Sequence, residues 1–170
     1  MNASQLFAAI GPENGAAILM FFRENEREIY KNTISTLAAR KKLRPVFVQQ
    51  KPVAGQIEWM LKELRLRTGT ETAAQVLQLW LLQARRDMLK LFLDTLGVEH
   101  DGDGSADDIP TEFDPAKARE AVSLLLEKFQ PWEVAVYLHI FQTQQPGGWP
   151  AVAEAIEAEP ALAAFAGPEA

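Results

Sequence analysis

Residues 71–96 read ETAAQVLQLWLLQARRDMLKLFLDTL, and the fold turns on how this stretch is read. It holds no proline or glycine, and Ala, Leu, Gln, Glu, Lys and Arg dominate it, residues that favour helix. A helix of that length spans about 39 Å. Its first part, residues 73–82, is apolar nearly all round, and such a helix must be buried on several sides. Further along, Gln83, Arg86, Lys90 and Asp94 share one stripe, so the helix returns to the surface there before Gly97 stops it. The expectation is a rod sunk inside a helical assembly, with function on the outer surfaces.

The prolines punctuate the rest. They stand at 12, 45, 52, 110, 115, 131, 146, 150, 160 and 168, leaving 13–44 and 53–109 free of them. A short helix fits 4–10, then Gly11-Pro12-Glu13-Asn14-Gly15 turns the chain. A long helix fits 16–43, with Ile18, Phe22, Ile29, Thr33 and Leu37 at near-helical spacing and a kink or departure from the core near Glu26. Residues 44–52 read as an extended connector, since a proline stands near each end and Val46-Phe47-Val48 favours extended dihedrals. A third helix fits 53–67 with Val53, Ile57, Met60, Leu61 and Leu64 on one face, and Thr70 is placed to cap the next. Asp114-Pro115 is a helix start, followed by Ala118, Ala121, Val122, Leu125 and Phe129 on one face. Residues 132–144 suit either a helix or a buried strand; Pro131 and the length favour helix. Short helices at 149–159 and 160–165 precede a tail expected to fray.

The fold class expected is therefore all-α: a single domain over 1–170, a compact bundle of about six to eight helices around 71–96. At 170 residues such a chain buries roughly 70% of its unfolded surface and needs no staples. It has no Cys, which excludes disulfides and thiolate metal sites and fits a cytoplasmic setting. The first residues lack a basic segment of secretory type. The longest purely apolar run, 16–22, is too short to span a bilayer, so no membrane association is expected.

Charge is split unevenly. Residues 1–93 carry 14 Lys and Arg against 8 Asp and Glu, and residues 94–170 carry 3 against 15. That asymmetry points either to an anionic partner for the basic half or to the two halves meeting within or between molecules.

Three groups of residues are candidates for function. The run Arg40, Lys41, Lys42 and Arg44, with Phe47 beside it, has the cations and the aromatic ring that an anion or nucleic acid would use, although cations at a helix C-terminus also complement its dipole. Trp59, Val46, Val48 and Trp149 lie off the expected core faces and could anchor a partner. In the acidic loop 97–113, Asp101, Asp103, Ser105, Asp107 and Glu112 fall at positions 1, 3, 5, 7 and 12 of a calcium loop. That register fails at position 6, where Ala106 replaces the required glycine, and at position 10, which is Pro110; Asp and Gly also suit an ordinary solvated turn.

Catalytic chemistry has little material. His100 sits among acids and His139 in an apolar segment, neither with a partner at metal-ligand spacing. No phosphate loop, nucleophile elbow or zinc motif occurs, and no cofactor is implied. The outline of a helix-turn-helix at 53–96 lacks a polar reading face on its second helix. The function expected is protein–protein interaction in a structural or adaptor role, beginning with self-association as a homodimer in a cytoplasmic protein of bacterial type. The alternatives are an anion- or nucleic-acid-binding regulator using 40–44, and an enzyme with a buried site near His139.

Overall fold

A computed structural model describes residues 1–165; the tail expected to fray lies outside them. Regular structure runs α1 (Ala3–Ala9), α2 (Gly11–Asn25), α3 (Arg27–Arg40), α4 (Pro45–Gln49), α5 (Val53–Leu64), α6 (Thr70–Ala84), α7 (Arg86–Leu96), α8 (Pro115–Lys128), α9 (Pro131–Gln142) and α10 (Pro150–Glu157), with 3-10 turns at Arg67–Gly69 and Pro160–Phe165. Among the described residues there is no strand, so the fold is all-α, and the ambiguous apolar segment is the helix α9. No helix among them is long and apolar enough to cross a membrane.

The helices are more numerous and shorter than six to eight, because both long helices break at a single residue. Glu26 (φ −137°, ψ 65°) ends α2 and begins α3, close to where the kink was expected. Its N–H still donates to Phe22 at 2.8 Å, and its carbonyl already accepts from Tyr30 at 3.2 Å. Arg85 (φ −135°, ψ 33°) does the same between α6 and α7, so the rod expected over 71–96 is two helices. Its apolar positions 73, 76, 77, 80, 81, 88 and 92 keep a helical period across the break, which hides it from periodicity.

The connector at 44–52 is also corrected. Pro45 holds Arg44 extended (ψ 133°) but stands at the first position of α4. Proline restricts the residue before it, while its own φ suits a helix start. Pro52 likewise sits extended just ahead of α5. Thr70 is not an N-cap either: it is already helical (φ −54°, ψ −43°) because the 3-10 turn precedes it. Its hydroxyl hydrogen-bonds to the carbonyl of Arg67 and to Ser4 Oγ, each at 2.9 Å.

The described chain packs as two compact units, Met1–Trp80 and a second beginning at Leu81, the division falling within α6. In the first unit α2 runs antiparallel to α5. Gly15 of α2 lies against Leu61, while Tyr30, just after α2 ends, hydrogen-bonds Gln56 near the start of α5 at 2.9 Å. Phe7, Ile18, Phe22, Ile34, Leu37, Met60 and Leu64 are fully covered and form the core of this unit. Gly69 is obligatory, since a β-carbon there would drive into the carbonyl oxygen of Glu63.

In the second unit α8 packs on both α7 and α10. Asp114 caps α8, its carboxylate accepting from the Ala116 N–H at 2.7 Å, and Ala118, Ala121, Val122 and Leu125 are its buried face as expected. α9 is buried almost all round, from Glu133 to Leu138. Glu133 takes the Arg85 Nε at 2.9 Å and a second guanidinium nitrogen, and it also accepts the Gln130 N–H at 3.1 Å as half of a capping box.

Candidate functional site

The basic run ends α3 and turns into α4. Two of its cations are engaged by acids of their own unit: Arg40 pairs with Glu71 at 3.1 Å and donates to the Thr68 carbonyl, and Lys41 reaches Glu63 at 3.2 Å. Glu63 is nearly buried, so Lys41 compensates a charge that would otherwise be stranded. Lys42 and Arg44 have no ion pair among the described residues. Lys42 takes a left-handed conformation (φ 55°), which reverses the chain.

Three large apolar side chains cluster at this reversal in open solvent: Leu43, Val46 and Phe47, the last 59% exposed. Val48, by contrast, is buried. α4 is a helix, so 46 and 47 face outward while 48 turns in; along an extended connector 46 and 48 would have shared a face. The remaining partner-facing expectations separate in the same way. Trp59 is half-buried on α5. Trp149 is only 2% exposed: its ring stacks on Phe141 at 4.5 Å, its indole N–H donates to the Pro110 carbonyl at 2.7 Å, and it joins the acidic loop to α9 and α10. That packing takes Trp149 and Val48 out of any surface.

The acidic loop closes on itself. Asp101 Oδ1 accepts the N–H groups of Asp103 (2.8 Å) and Ser105 (3.3 Å). These amides hold the Asp101 carboxyl below its ordinary pKa, the Asp103 N–H contributing most. His100 bridges Asp94 Oδ1 at 2.8 Å and the Gly102 N–H at 3.1 Å. Gly104 (φ 87°) packs directly on Leu89. Asp101, Asp103, Ser105, Asp107 and Glu112 do not converge: no three carboxylate or imidazole groups among the described residues are placed to hold a metal ion.

His139 is half-buried on α9, and burial pushes its pKa down. No group among the described residues hydrogen-bonds its ring, so nothing there orients the imidazole as a general base.

Between α2 and α5 lies a groove of about 890 Å³, walled by Ala16 and Met20 on one side and Val53, Ile57 and Leu61 on the other, with Arg65 along it. Gly15 lets the helices approach, since a β-carbon there would come within 2.7 Å of Leu61 Cδ2. Two nitrogens of Arg65, Nε and Nη2, are buried with no hydrogen-bond partner. The small residues at 15, 16 and 54 were the available signal, but small residues mark close packing and grooves alike.

Comparison with protein-family models, with curated proteins and with solved structures finds no match for this chain.

Proposed function

We propose that this chain is a protein-interaction module that self-associates, docking through the basic and apolar corner where α3 turns into α4. The observation that carries this reading is Phe47, 59% exposed beside Leu43 and Val46 on a unit whose other large aromatics are mostly covered. Exposed aromatic and aliphatic anchors ringed by cations form the kind of patch that carries binding energy at an interface. The occupant proposed is the acidic loop 97–113 of a second copy, because Lys42 and Arg44 flank the patch and residues 94–170 carry 15 acids against 3 bases. Charge complementarity of this kind steers and orients association.

The phosphate reading of the same corner draws less support, since Arg40 and Lys41 are occupied by Glu71 and Glu63. Sedimentation over a dilution series tests the proposal. A dimer should weaken as salt rises from about 50 to 500 mM. Phe47→Glu and Arg44→Glu should each shift the mass toward monomer. A monomer at every concentration and salt overturns the reading, as does a dimer indifferent to both substitutions.

A further inference from the structure

We infer that Arg44 of one copy seats in a hollow of the acidic loop of a second copy; this rests on the reading of the α3–α4 corner given above and names the groups that meet there. The hollow, about 470 Å³, is bordered by Glu99, Asp101, Asp107 and Asp108, with Pro110 beside them. A concavity lined by one sign of charge focuses its field and draws a counter-charge. The other acids nearby are engaged: Asp94 holds His100, which also borders the hollow, at 2.8 Å, and Asp103 reaches Arg86 at 3.5 Å. Asp101 gives one oxygen to the amides of Asp103 and Ser105. Glu99, Asp107 and Asp108 are exposed and have no ion pair among the described residues. Lys117 comes near Gly97 at the edge, one cation against four carboxylates.

Arg44 matches that hollow in charge and in placement. It is exposed and has no ion pair among the described residues. Pro45 holds its backbone extended (ψ 133°) just past the chain reversal at Lys42 (φ 55°), so it stands on the turn itself rather than along a helix. Leu43, Val46 and Phe47 lie open around it, and Pro110 gives them apolar surface to cover. The guanidinium presents five donors in a rigid fork that fits carboxylates, whereas the Lys42 ammonium is a point charge. Two such corners repel each other, and so do two such hollows. The contact therefore joins unlike surfaces, corner to hollow, and every copy carries one of each.

The test is sedimentation of the full chain at about 50 mM salt, where exposed charges are least screened. Arg44→Glu, and separately the pair Asp107→Lys with Asp108→Lys, should each weaken association about tenfold or more. An equimolar mixture of these two variants should regain the wild-type mass, because each supplies the surface the other lacks. Arg44→Lys keeps the charge and loses the fork, so it should fall between Arg44→Glu and the wild type. Should the lysine pair misfold, Asp107→Asn with Asp108→Asn keeps the shape of the loop and should weaken association in the same direction. A wild-type chain that is monomeric throughout overturns the corner reading and this inference together. A dimer that Phe47→Glu splits but the changes at 107 and 108 leave whole keeps the corner and overturns the hollow. A mixture that stays monomeric when each variant alone is monomeric also overturns the hollow.

Discussion

Thr72 buries a hydroxyl that no protein group meets. A buried donor left without a partner costs about 1–3 kcal/mol, while an apolar isostere carries no such penalty. Thr72→Val should therefore raise stability by about 1 kcal/mol, read as a higher urea midpoint at unchanged slope. Glu133 is the opposite case, a buried carboxylate that serves both Arg85 and the start of α9. Glu133→Ala should cost about 2–3 kcal/mol, less than a fully buried pair because a third of the Arg85 side chain meets water. His139 gives a pH signature. Burial lowers its folded-state pKa below the ordinary 6.5, so the folded protein prefers the neutral ring. Its contribution is fully present above about pH 6.5 and is lost as pH falls toward the folded value. Urea midpoints should drop between pH 8 and pH 5, and His139→Gln should flatten that drop.

At the scale of elements, the patterns that rest on local chemistry are legible, and of the changes in direction only the one near Glu26 is. Asp114 announced α8 because an Asx cap followed by proline has one favourable geometry, and its carboxylate makes that cap. Asp114→Ala should cost about 1 kcal/mol, read by urea unfolding. The break at Arg85 differs: it is one residue long and keeps the hydrogen bonds on both sides, so it leaves only a faint mark on the apolar period, whereas the apolar stripe of 16–43 lapses near Glu26, where the kink is expected and found. α4 is hidden because a proline near each end reads as a barrier to helix, whereas Pro45 opens one. Gly69 shows how tightly the 3-10 turn before α6 is held. Gly69→Ala presses a methyl group into backbone that cannot yield and should cost at least about 2 kcal/mol by the same measurement.

For the whole molecule, composition and proline spacing identified an all-α chain, and the structure agrees. The sites were less visible. Arg40, Lys41, Lys42 and Arg44 read as one cationic run, but a run in sequence says nothing about which cations meet acids from other helices. Glu63 and Glu71 come from 22 and more residues away and divide the four in two. The groove along α2 and α5 depends on which faces of two distant helices remain uncovered, and the order of residues along either helix does not encode that. Self-association through the α3–α4 corner should therefore respond to Phe47→Glu.

The aromatic stack at the foot of the acidic loop gives the chain a built-in optical gauge. Trp149 rests against Phe141 at 4.5 Å and Phe113 at 5.8 Å, with its indole nitrogen tied to a carbonyl of the loop itself. A ring so enclosed emits to the blue of a hydrated one. Any event that lifts residues 97–113, whether a docking copy or a drop in pH that protonates Asp101, should redden that glow, and the difference spectrum against Trp149→Phe isolates it from the other three indoles.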